Sequence, residues 1–104
     1  MNALPGVSGA FAAEGDRWTF QGVLNFDDAM AVLRAADRLA LPASETVDLR
    51  GMAHADSAAL AVLLALRRRA EAEGRKLAFA GVPPMLDSLA RVYGIDTLIA
   101  PSGR

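Results

Sequence analysis

Apolar positions recur along this chain with two different periods, and the switches between them mark out the elements. Ala10 to Ala13 is a short strand candidate, Gly15-Asp16 supplies a turn, and Arg17 to Leu24 carries Trp18, Phe20 and Val23 among polar residues; the pair reads as a β-hairpin. From Phe26 to about Ala40 the spacing becomes helical, with Ala29, Met30, Leu33, Ala36 and Ala40 on the inner side and Arg34, Asp37 and Arg38 facing water. Asn25 is placed to cap that helix, with Asp27 and Asp28 in the first turn where the helix dipole favours carboxylates. Thr46 to Leu49 reads as a strand, Arg50 to Asp56 as a loop, and Ser57 to Glu73 as a helix stopped by Gly74. Lys76 to Ala80 is the next strand and Gly81-Val82-Pro83 the next turn. Pro84 then opens a helix to Tyr93 that buries Leu86, Leu89, Ala90 and Tyr93. That helix closes at Gly94, and Ile95 sits where a Schellman motif places its apolar contact. The order ββαβαβα predicts an α/β domain with a four-stranded mixed sheet, its later strands parallel and joined by right-handed crossovers.

The helix that starts at Ser57 has an unusual pattern. Ala59, Val62, Leu63, Leu66 and Ala70 form the stripe expected to face the sheet. Leu60, Ala61, Leu64 and Ala65 cover the opposite side, where a surface helix is normally polar. Either a neighbouring element covers these residues, or they form an exposed apolar patch that marks a partner site. Ser57 lies at the rim of that patch, and its hydroxyl is placed to cap the helix, a role worth about 1 kcal/mol.

Composition narrows the function classes. The 104 residues suit one domain, here expected over 9–100, with a loose lead-in over 1–8 and a tail over 101–104. A hydrophobic fraction of 53% and a mean hydropathy of +0.25 argue against disorder, although much of that content is alanine. Eleven basic and twelve acidic side chains give a net charge of −1, so nothing electrostatic points to nucleic acid or to an anionic membrane. There is no cysteine, which excludes disulfides, thiol catalysis and thiolate metal sites and fits a reducing compartment. The first residues show neither a basic n-region nor an apolar h-region, so no signal peptide is expected. The longest apolar run, Ala58 to Leu66, falls well short of the roughly 20 residues of a membrane span. A cytoplasmic protein without membrane insertion is the expectation.

Catalytic and cofactor chemistry finds no support. The 50–56 segment holds one glycine, Gly51, and matches neither the dinucleotide-binding nor the P-loop motif. Asp48, in a strand before a loop, invites comparison with a phosphoacceptor aspartate, but that chemistry needs an acidic pair after an early strand and a later lysine, and they do not form a convincing set here. His54 is the only histidine and has no ligand cluster near it in sequence; that isolation also argues against a triad with Asp56 and Ser57. Arg67-Arg68-Arg69 point in different directions around a helix and lie near Glu71 and Glu73, which reads as a solvated helix end. No catalytic residue, metal or cofactor is expected.

The stretch from Val47-Asp48-Leu49 through Asp56-Ser57-Ala58-Ala59-Leu60 resembles the signature of STAS domains. There, a strand ending in Asp-Leu leads through a short loop to Asp-Ser/Thr at the head of a helix. The similarity continues through Glu73-Gly74-Arg75-Lys76-Leu77, Gly81-Val82-Pro83 and Leu89-Ala90-Arg91-Val92-Tyr93-Gly94-Ile95, about 46–98 in all. It implies the STAS (SpoIIAA-like) fold and a protein-binding module, and two branches of the family bear on the partner. In anti-sigma-factor antagonists the serine after the aspartate is phosphorylated by the partner kinase, which breaks their complex. In the STAS subunit of the Mla-type phospholipid ABC transporter, the equivalent residue lies at the interface with the ATPase subunit. Ala58-Ala59 departs from the Ser-Gly usual in antagonists, and the Ala59 to Leu64 run and the Leu89 to Ile95 ending are more like the transporter subunit. The resemblance therefore implies an ATPase subunit as partner, or alternatively an anti-sigma-factor kinase. It also implies a site at the inner face of the membrane reached through that partner. Ser57 becomes a candidate switch or phosphorylation residue, and Asp56, Ser57, Leu60, Ala61, Leu64, Ala65 and Arg68 the candidate partner-binding face. A small-molecule-sensing STAS domain is a third class, disfavoured by the scarcity of polar groups in the core.

Overall fold

A computed structural model describes residues 9–99; the lead-in and tail expected over 1–8 and 101–104 lie outside the described residues. The elements run in the predicted order: β1 (Gly9–Glu14), β2 (Arg17–Leu24), α1 (Ala29–Asp37), β3 (Thr46–Ala55), α2 (Ser57–Ala72), β4 (Ala78–Ala80), α3 (Pro84–Val92) and a 3-10 turn at Asp96–Leu98. One four-stranded sheet is ordered β1-β2-β3-β4, with β1 antiparallel to β2 and the other neighbours parallel. Sequential parallel strands with right-handed crossovers bring successive helices to the same face. The core lies under that face, where Phe11, Trp18, Phe20, Val47, Leu49 and Phe79 are all buried. The opposite face carries Arg17, Thr19, Asp48 and Arg50, the pleat alternates of those residues.

Several boundaries differ from the sequence reading, each for a physical reason. The segment Arg50 to Ala55, read as a loop, continues β3 to ten residues because β2 pairs with it along its length. Its composition has little β-propensity; position in the middle of the sheet overrides that. The register shifts between Thr19 and Gln21, opposite Gly51, where any Cβ would stand 2.4 Å from the Phe20 carbonyl oxygen. Only glycine fits. Regular helix α1 begins at Ala29, not Phe26, because Asn25 caps a preceding turn instead, its side chain accepting from the Asp28 N–H at 3.1 Å. Met30, expected inside, is 60% exposed. Tyr93, expected to be buried in α3, is its exposed C-terminal cap, and β4 covers only the last three residues of the predicted strand.

Two helix ends close with the same device. Gly74 and Gly94 adopt left-handed φ values of 73° and 72°, and the next amides reach back to Ala70 O and Ala90 O at 2.8 and 2.9 Å. These are Schellman closures. Ile95 is half-buried against the core, as its position predicts.

Arginines hold the layers together. Arg69 donates to the carbonyls of Ala36 and Leu39 at the end of α1, while its guanidinium lies 6.0 Å from the Trp18 ring centroid. Trp18 in turn donates to Ala40 O at 3.0 Å. Arg75 donates to the carbonyls of Pro42 and Ala43 and pairs with Glu45, which itself sits at φ 61°. Of the three consecutive arginines, Arg69 is therefore structural, Arg67 pairs with Glu71 one turn on, and Arg68 stands exposed.

Candidate protein-interaction site

The site is built at the C-terminal end of β3, where the chain turns directly into α2. Asp56, in extended conformation, is the N-cap: its Oδ1 accepts from the Ala58 N–H at 2.8 Å. Its Oδ2 accepts from the Phe26 N–H at 3.0 Å. One carboxylate thus ties the segment after β2 to the head of α2. The expectation that Ser57 caps the helix is corrected by this geometry. Ser57 is the first helical residue and exposed, and its hydroxyl makes no hydrogen bond within the described residues.

The expected partner-binding residues do not share one surface. Helix α2 packs against α1 on one flank and α3 on the other. Leu60, read as part of the outer face, is 3% exposed and belongs to the core. Leu64 and Ala65 are half-buried. Ser57, Ala61 and Arg68 are exposed and fall along one outward stripe of the helix, with Asp56 half-buried beneath its start.

Beside that stripe lies an open apolar trough of about 430 Å³ between α1 and α2. Phe26, Met30 and Leu33 form its wall on the α1 side, and Ala58, Ala61 and Val62 its wall on the α2 side; Asp27 is the one charged residue lining it. Phe26, 78% exposed, stands where the Asp56 tie holds its backbone. Sequence reasoning missed Phe26 and Met30 because each fits the inner face of an idealised helix. Phe26 in fact precedes α1, and the buried face of α1 centres on Val32 and Ala36, which turns Met30 outward. The one available signal was Asn25, whose Asx turn delays the helix.

Chemistry elsewhere is structural. Asp48 lies on the helix-free face of the sheet, between Arg50 at 2.7 Å and Arg17 at 3.7 Å. Hydrogen bonds from the Arg50 guanidinium, and then from the Arg50 amide, pull its carboxyl down to about 2, the nearby positive charges adding to this and burial opposing it. An aspartate so paired is committed to its strand. His54 is exposed, and among the described residues no cluster of three His, Cys, Asp or Glu side chains is arranged to hold a metal ion. No helix among the described residues is long and apolar enough to cross a membrane.

The family model described as "Mlab, STAS domain" matches residues 10–100. The chain belongs to the STAS family. No curated protein is similar enough to be counted a relative. The mixed sheet with three helices is the STAS architecture, and the chain is a STAS-domain protein-interaction module. In this STAS domain Asp56 caps α2 and ties it to the Phe26 amide, and Ser57, the next residue, is exposed.

Proposed function

We propose that this STAS domain binds and regulates the ATPase subunit of an Mla-type phospholipid-transport ABC transporter, working at the inner face of the membrane through that partner. The contact surface is the outward stripe of α2, Ser57, Ala61 and Arg68, with Asp56, Leu64 and Ala65 supporting it. One observation carries the reading. Ser57 is exposed with its hydroxyl unspent on the helix cap, beside an apolar surface, so it is available for a partner. The family model's description favours the transporter branch over other STAS proteins.

The same exposure favours a second reading, an anti-sigma-factor antagonist whose Ser57 is phosphorylated by its partner kinase. Phosphate would add about −1.5 to −2 charges beside Asp56 and the apolar trough and oppose burial there. Affinity capture separates the two. The first reading expects a stable complex with the transporter's ATPase subunit and an altered rate of ATP hydrolysis. Failure of that complex, together with incorporation of phosphate at Ser57 by an anti-sigma-factor kinase, would replace it with the second.

A further inference from the structure

Helix α1 is held unequally at its two ends. At its C-terminal end Arg69 of α2 donates to Ala36 O and Leu39 O at 3.1 and 2.6 Å, and Trp18 of β2 donates to Ala40 O at 3.0 Å. All three bonds are partly buried, and the Arg69 guanidinium lies over the Trp18 ring. The buried residues of α1, Val32 and Ala36, sit toward this clamp, whereas Ala29, Met30 and Ala31, which open the helix, are half-buried or exposed.

The other end is held more lightly. Phe26 N–H donates to Asp56 Oδ2 at 3.0 Å, an exposed bond that crosses from the segment after β2 to the head of α2. The Asn25 carboxamide accepts from the Asp28 amide at 3.1 Å, which ties that turn to itself and not to α2. Asp56 is fixed independently, since its amide donates to Leu24 O at 3.3 Å and its Oδ1 caps α2. Segments with few buried contacts and exposed hydrogen bonds open at lower free energy than the rest of a fold. Beside this lightly held end lies the open trough, with Phe26 and Met30 exposed on one wall and the small Ala58 and Ala61 on the other. Burial of apolar surface favours bringing these walls together.

We infer that the bond from the Phe26 amide to Asp56 is a latch that holds the trough open. When it breaks, the start of α1 swings about the end clamped by Arg69 and Trp18 and lays Phe26 and Met30 over Ala58 and Ala61. The motion is a hinge closure within the domain. Closure covers Ala61 and so withdraws part of the outward stripe of α2; this consequence rests on the proposed contact surface, whereas the latch itself does not.

The test separates the latch from the cap that shares its carboxylate. Asp56→Ser keeps a favoured N-cap oxygen for α2 but has none left for the Phe26 amide. Amide hydrogen exchange should then quicken about tenfold at Asp28 and Val32 and stay within about twofold of the parent at Arg38 and Leu39. Closure is read by disulfide trapping, which the absence of native cysteine allows. Met30→Cys with Ala61→Cys, across the trough, should bridge about tenfold faster when Asp56→Ser is added, because a disulfide forms only at close approach. Asp56→Asn, of the same shape as the parent, repeats both measurements should the serine variant melt early. Exchange that quickens equally at both ends of α1, or not at all, overturns the latch. Faster exchange at the first end without faster bridging means that the end frays without closing, and overturns it too. Both readouts are taken on the chain alone, so their failure leaves the ATPase reading to stand or fall on capture.

Discussion

The two flanks of α2 begin as near equivalents in sequence and end with opposite fates. On the α3 flank stand Leu60 and Leu64; the first is buried and the second half-buried against the core. On the α1 flank stand Ala58 and Ala61, and there the neighbouring helix leaves an open trough walled by Phe26 and Met30. The bulky side chains are spent on cohesion, since each buried leucine is worth about 1.5–3 kcal/mol. The alanines contribute little to cohesion and cost little to expose. A helix that is apolar nearly all round thus serves as core on one side and lines an open apolar trough on the other.

Substitutions that treat the flanks differently should break or sharpen this contrast. The largest effect is expected on the α3 flank. Leu60→Glu buries an unpaired carboxylate and should cost about 4 kcal/mol or more, leaving the protein unfolded or aggregated in a thermal melt. A cooperative melt near that of the parent would show that the flank is not core.

Asp56→Ala comes next, because it deletes both the cap and the tie to Phe26. A loss of about 1–2 kcal/mol is expected in denaturant unfolding. Asp56→Asn should keep the Ala58 cap through its side-chain oxygen but leave at most one acceptor for two amides. It should therefore lose less stability than the alanine variant while still weakening partner capture. Equal capture by Asp56→Asn and the parent would show that the Phe26 tie does not shape the site.

On the α1 flank, Ala61→Glu changes an exposed residue, so stability should move by no more than about 0.5 kcal/mol. Partner binding should fall by about 2 kcal/mol or more, read by calorimetry, since the charge would be buried without a counterion in the complex. Ser57→Ala should likewise change stability by no more than about 0.5 kcal/mol, because the cap is Asp56. A loss of a full cap's worth would return Ser57 to a structural role.

The smallest effect is expected far from both flanks, at Asp48. Its carboxyl lies at about 2 in the folded protein, below its usual 3.8, so the folded state holds fewer protons than the unfolded state between those values. The stability that the ion pairs supply is present above pH 4 and is lost as pH falls from about 4 to about 2. Both guanidiniums are largely open to water, so screening keeps this term small. Asp48→Asn should therefore show a flatter acid limb of melting temperature than the parent, with partner capture unchanged. An equally steep limb would assign the acid sensitivity to other carboxylates.

Local chemistry in the sequence determined the element order, the hairpin turn at Gly15-Asp16, the glycine-closed ends of α2 and α3, and the buried stripe of Ala59, Val62, Leu63, Leu66 and Ala70. Each depends on residues within a few positions of one another, where periodicity and left-handed glycine geometry decide the outcome. The Asp56-Ser57 pair was likewise legible as the start of a helix. Tertiary structure decided the rest. Pairing with β2 turned Arg50 to Ala55 into strand, because a central position supplies hydrogen bonds that the local sequence does not call for. The Asp56 carboxylate, reaching thirty residues back to the Phe26 amide, took the cap from Ser57 and fixed Phe26 beside it. The packing of α3 on one side of α2, and the late start of α1 on the other, chose which apolar residues became core and which became surface. A helical pattern gives the angle at which a side chain leaves its helix, but what stands at that angle depends on elements distant in the chain.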